Sequence, residues 1–393
     1  MRIGSVVMGV WCALGVFLPW PATTCSAARQ QARPRLFNQG LAPINLGRLP
    51  AGISSPSRRE CELCHVQEAR EWEESLHRQS WTQAAFQQAF AREPFQECKN
   101  CHQPLTATRR PTLAVADLQR EGITCAVCHV RDGAVLASAV SGRAPHPVRK
   151  EASLSSPAFC GGCHQFPFPE RLDDGRVLAT DLPMQDTVGE WERVTAQTPE
   201  VGTCQDCHMP WVKGPQQQRH RSHRFLGGYD PNTLQRAVAV TAELRPISAG
   251  RVEFALTLKA RNVGHAVPTG DLFRRLVITA TPVDGNGKSV GPTQQQALAR
   301  SFYDKVIENG QSLPRLRRLQ RTDTRLFPAE PQTLIFTLPL TSQAAAVGYM
   351  IRLHRSAPCR DLQATEDADS VSLVAQGQIL LPALPVLHKE ETP

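Results

Sequence analysis

Apolar and polar positions follow different rules on the two sides of residue 232. Beyond it they alternate. In Val252-Glu-Phe254-Ala-Leu256-Thr-Leu258-Lys every second residue is a large apolar one, the period of a strand with one buried and one wet face. Val238, Val240 and Leu244 keep that rhythm, as do Leu334, Phe336 and Leu338, then Val347, Tyr349, Ile351 and Leu353. Leu276 to Val283 reads as a strand because the Asp284-Gly285-Asn286-Gly287 behind it has hairpin-turn chemistry. Val371 to Leu381 reads as the last strand. Six or more strands with almost no helical period predict an antiparallel β-sandwich over residues 233–385. Residues 288–330 interrupt the strands and carry Arg315, Arg317, Arg318, Arg321 and Arg325. They read as a basic, solvated insertion, with docking to the first half of the chain or to an acidic partner as the functional alternative. His354 falls on the outward side with Arg352, and His388 in a polar tail.

Before residue 232 no strand period exists. Val66 to Arg92 is helix-friendly, with Trp72 and Leu76 on one face and Trp81, Ala85 and Phe90 continuing an apolar side after a bend. Pro94 ends it, Pro111 and Gly122 punctuate the next stretch, and residues 131–159 read as loop. Residues 28–60 form an extended lead-in. Residues 1–27 look like a signal peptide: Arg2, an uncharged apolar run from Val6 to Leu18, then small residues Ser26, Ala27 and Ala28. That run is short for a membrane span.

This half is organised by a motif. Cys-x-x-Cys-His occurs at Cys61, Cys64 and His65; at Cys98, Cys101 and His102; at Cys125, Cys128 and His129; at Cys160, Cys163 and His164; and at Cys204, Cys207 and His208. This is the c-type haem attachment spacing. Two thiols reach the two vinyl groups of one porphyrin, and the next residue binds the iron as proximal ligand. A zinc array would not need His after every second Cys. Ten of the 13 Cys are consumed in this way; Cys12 and Cys25 lie in the leader, and Cys359 is left unpaired, so the chain is not a disulfide framework. About thirty residues per haem cannot close a core of their own. The five haems must therefore supply it, in a mostly helical or irregular pentahaem cytochrome domain over residues 61–230. The fold class is α + β in two domains.

The formal charge of +8 changes meaning with the cofactors. Each ferric haem with two propionates carries about −1, which leaves roughly +3. The Arg excess then suits propionates. No stacked aromatic and basic pattern points to nucleic acid.

Seven His lie outside the motifs. Excluding His354 and His388 leaves five for five distal iron positions: His77, His146, His220, His223 and His265. His146 stands between prolines in a loop, and His220 and His223 could face one side of a helical turn. His265 sits in a Gly- and Pro-shaped loop, Asn262 to Asp271, and would reach a haem from the β-rich half. Met184 is a reserve thioether ligand.

At these residues the chain resembles periplasmic multihaem c-type cytochromes related to the tetrahaem electron acceptor of hydroxylamine oxidoreductase. The resemblance is carried by Trp72-x-x-Ser75-x-His77, by Cys204-x-x-Cys207-His208-Met-Pro with Ser222-His223-x-Phe225-x-Gly-Gly, and by Gly264-His265-x-x-Pro268-Thr-Gly270, which is similar to a loop in β-rich domains appended to such cytochromes. The wider superfamily includes nitrite, tetrathionate and hydroxylamine enzymes, but this chain lacks a Cys-x-x-Cys-Lys haem and has no Tyr beside a haem motif.

Three functions stand as expectations. An electron carrier needs every iron capped on both sides. An oxidoreductase for a small nitrogen or sulfur species needs one open iron and acid–base groups. A haem sensor would use the sandwich to bind a partner. The count of distal His favours the carrier. Its partners would be a redox protein donor and acceptor, with a membrane-associated redox complex as one setting. Its location would be the bacterial periplasm or cell envelope. Nothing in the sequence sets an oligomeric state.

Overall fold

The computed structural model describes residues 44–92, 94–106, 113–140, 144–171, 177–214, 219–248, 250–307, 315–356 and 370–381. The leader read at 1–27, most of the lead-in, Cys359 and His388 lie outside the described residues.

In the first half, four motifs end short helices at their His: Cys98–His102, Cys125–His129, Pro157–His164 and Cys204–His208. Isolated helices this short are unstable, so their caps matter. Ser156 accepts from Ala158 N with Pro157 in the first turn, and Thr203 with Asp206 forms a complete capping box. The first motif instead straddles the end of Arg59–Glu62. The expected bend between helices is real: Val66–Glu73 and Ala84–Arg92 are separated by turns. The bend is anchored by Trp72 Nε1 donating to the Ile123 carbonyl at 2.7 Å and by fully buried Ser75, which donates to the Trp72 carbonyl at 2.7 Å.

Residues 131–159 are less loop-like than their sequence suggests. They hold the strand pair Val130–Arg131 with Ala134–Ala137, a parallel strand Val148–Lys150 and a 3-10 turn Ala152–Ser155. The described part of the lead-in lies on this region. Asp132 N donates to the Leu46 carbonyl at 2.9 Å and Gly133 N to Arg48 at 2.7 Å. The apolar cluster here is small: Leu46, Leu105, Ala126, Val127 and Val130.

The second half is antiparallel β. One sheet runs Arg315–Asp323, Gln294–Ile307, Arg275–Val283, Ala346–His354, Val371–Leu380; the other runs Gln332–Pro339, Arg251–Ala260, Val238–Ser248. Register places Leu256 opposite Leu334 and Phe254 opposite Phe336. The alternating apolar sets of both sheets enter one core, with Phe254, Leu256, Leu276, Ile278, Phe336, Leu338 and Ile351 all buried. The Asp284–Gly287 turn forms as expected, with Gly287 at φ +79. The reading of 288–330 as an insertion is overturned: Gln294–Ile307 and Arg315–Asp323 are strands that extend the larger sheet.

At the junction, the helix Pro231–Ala237 is capped by Asp230 and buries Leu234 and Ala237 in the β core. The described residues form one compact unit, so the change of pattern near 232 is a change of structure inside one body. Among the described residues no helix is long and apolar enough to cross a membrane.

Candidate haem-binding site

A cavity of about 2440 Å³ lies inside this unit. An ordinary small-molecule pocket holds about 300–1,000 Å³, so the space suits several large cofactors. Its walls carry all ten motif Cys, all five motif His, and His77, His146, His220, His223 and His265. None of the ten Cys is paired in a disulfide.

Three motif His face a second imidazole across this space. His164 faces His77, His129 faces His223 and His208 faces His265, each with ring centres 6.2 Å apart. That is too far for a hydrogen bond. It is the span of two imidazoles sharing one metal, with a nitrogen about 2 Å from the ion on each side. The interplanar angles are 47°, 38° and 6° in that order.

The other ring nitrogens agree. Nδ1 lies 2.7 Å from the Ser80 carbonyl in His102, 2.8 Å from Leu136 in His129 and 2.9 Å from Ala266 in His265; His208 bonds Leu226 in the same way. A carbonyl only accepts, so Nδ1 carries the proton and Nε2 keeps its lone pair for a metal. Burial holds His129 and His265 below the usual imidazole range. It pulls His77 down to about 3, with His164, His208 and His223 adding to it, and His102, His164 and His223 to about 4.

The motifs also meet one another. Cys61 lies beside Cys125, Cys101 beside Cys163 and Cys160 beside Cys204, thiol to thiol.

Comparison with known proteins now gives the fold. The chain is similar to a penta-heme cytochrome c552 from Thermochromatium tepidum, with a TM-score of 0.59 at 18% identity over 83% of this chain and 98% of that one. The fold is that of a multihaem c-type cytochrome. Residues 60–130, which hold the first three motifs, match the family model for cytochrome c554 and c-prime. A putative ApaA protein from Bordetella pertussis matches 37% of this chain and 94% of its own at 11% identity, with a TM-score of 0.17 that carries no argument. No curated protein matches the sequence.

The residues present fit c-type haem: paired thiols, an adjacent imidazole with its Nε2 free, and a cavity of matching scale. Two of the distal candidates stand apart from the three facing pairs. His146 is half-buried, and its buried Nδ1 has no partner among the described residues. His220 is not aimed at a histidine. It lies on the strand Arg219–Arg221, not on a helical turn, and its Nε2 sits 3.1 and 3.2 Å from the carboxylate oxygens of Glu71. The flanking Arg219 and Arg221 stack on Trp211, which turns His220 toward the buried Glu71. His102 faces no second imidazole among the described residues; Phe86 stacks on it at 3.6 Å. Met184 lines the cavity, and its carbonyl and that of Pro183 are held by Arg300. His354 is on the same side of its strand as exposed Arg352, half-buried beside Arg275.

Glu71, Phe86 and Glu190 are site residues the sequence did not single out. Glu71 sits in a charged run whose helical phase alone points to solvent. Glu190 comes after a strand-to-helix junction with no local signature.

Proposed function

We propose that the chain carries five covalently bound c-type haems and relays electrons between redox partner proteins of a bacterial periplasm or cell envelope. The facing imidazole pairs at 6.2 Å support this most directly. Two imidazoles close an iron on both faces, so it changes charge without exchanging ligands. His65, His102, His129, His164 and His208 serve as proximal ligands. His77, His223 and His265 serve the fourth, third and fifth motifs as distal ligands. His146 serves the first: the chain just ahead of that motif touches the same loop, where a Cβ on Gly52 would lie 3.2 Å from the Pro145 carbonyl.

The thiol contacts arrange the motifs as a network branched at the fourth. The first meets the third, and the fourth meets both the second and the fifth. The third and fourth motifs lie near enough for Cys128 to act electrostatically on Cys160 and Cys163, after their thiol partners and burial. The two sheets act as a β-sandwich that delivers His265 to the haem body. The leader reading and the cofactor chemistry together favour export.

A second reading has its own observation. The iron of the second motif has Phe86 against His102 and no histidine opposite among the described residues, so it is open to a small nitrogen or sulfur species. Asp271 lines the same cavity, burial raises its carboxyl, and its buried Oδ1 has no partner among the described residues, which supplies an acid–base group.

Spin-state titration separates the two. The carrier reading expects low-spin irons at the other four motifs and no iron that binds nitrite or hydroxylamine. One high-spin iron that binds them, and is lost when His102 is replaced, overturns a pure carrier and establishes the open site.

A further inference from the structure

We propose that Glu190 is a positioning residue for the distal ligand of the fifth motif, setting how firmly His265 stays over His208. This rests on the reading that those two imidazoles share one iron.

Glu190 lies on the helix Thr187–Gln197, in the first half of the chain, and is only 1% exposed. Its carboxylate gathers the loop just after His265. Oε2 accepts from Ala266 N at 3.2 Å and from the Thr269 hydroxyl at 2.7 Å. That hydroxyl also lies 2.9 Å from Thr187 of the same helix. Oε1 accepts from Arg325 Nη1 at 2.6 Å. Arg325 is fixed in turn by Asp323, at 2.9 Å through Nε and 2.7 Å through Nη2.

A buried carboxylate is costly unless paired and hydrogen-bonded, and this one is saturated by groups that all belong to the β-rich half. The connection to the ligand is direct. Glu190 holds the N–H of Ala266, and the carbonyl of Ala266 accepts the Nδ1–H of His265. One residue is thus gripped on one side by the helix and grips the imidazole with the other. The arrangement is that of an outer-shell partner that orients a metal-bound His.

Holding the loop to its own domain is a separate job. Val267 exchanges both backbone bonds with Leu326, at 2.8 and 3.0 Å. Loss of Glu190 therefore leaves the loop attached and frees the turn that aims His265.

The test uses the haem-loaded protein and the rate at which added cyanide enters the oxidised fifth iron, which opens only when His265 swings off. Glu190→Gln keeps the shape and removes the charge. We expect cyanide uptake at one iron to quicken about tenfold or more, with the smaller change Thr269→Val giving about threefold. Rates within twofold of the parent in both variants, even with a lowered melting temperature, would reduce Glu190 to a structural role and overturn the inference. His265→Ala in the same assay tests the reading beneath it. An iron already high-spin in that variant upholds the ligand pair; an unchanged spectrum removes it, and the inference falls with it.

Discussion

Glu71 shows how a buried charge decides the fate of a histidine. It is 6% exposed, accepts from His223 N at 2.8 Å on Oε2, and receives Gln67 Nε2 at 3.2 Å and His220 Nε2 at 3.1 Å on Oε1. Removing His220 takes one hydrogen bond from a buried carboxylate, at a cost of about 1.5–3 kcal/mol. His220→Ala is therefore expected to lower the denaturation midpoint without changing the spin state of any iron, whereas His77→Ala converts one low-spin iron to high-spin. Counting spare His against motifs gives five candidates for five irons and cannot see this contact. The motif His can be picked out as candidates, because attachment chemistry is local in sequence. The facing pairs cannot be read that way, since His129 and His223 or His208 and His265 meet through the fold. Gly264 illustrates another residue-scale demand: a Cβ there would lie 2.7 Å from Val201 and 3.0 Å from Trp191. Gly264→Ala should cost about 1–3 kcal/mol by overpacking, measured by thermal unfolding.

At the scale of elements, strands that bury one face are readable and strands that do not are missed. Arg251–Ala260 and Gln332–Pro339 announce themselves because the core takes every second side chain. Gln294–Ile307 begins with three Gln and pairs with the Arg-rich Arg315–Asp323 at the edge of its sheet, so polar content hides two strands held by backbone pairing. The end of that edge carries a pH-sensitive contact. Burial pushes the Asp323 carboxyl up, but hydrogen bonds and the charge of Arg325 outweigh it and hold it below its ordinary value. A depressed carboxylate contributes its stability fully above the unfolded value of about 3.9 and loses it as pH falls through the lower folded value. The β-rich half is expected to keep its melting temperature between about pH 7 and 5 and to loosen below about pH 4; Asp323→Asn should remove that acid step. A decline already complete at about pH 5 would point to other groups.

The whole molecule divides by what fills its interior. One part closes over Phe, Leu and Ile from two sheets, and this is legible as period and turns. The other surrounds a cavity whose filling is not encoded as side chains, so its helices are short and their arrangement cannot be read from periodicity. The haem-loaded chain should exceed its polypeptide mass by five haems in mass spectrometry; fewer would remove a motif from the set. The imidazole planes carry a further consequence. His208 and His265 are nearly parallel at 6°, while the other two pairs are twisted by 47° and 38°. Aligned planes split the iron's two π-bonding d orbitals, and twisted planes bring them back toward equal energy. The iron between His208 and His265 would then have a rhombic magnetic signature of its own among more axial neighbours. Frozen samples poised at successive potentials would let one centre be followed through its redox step while the others overlap.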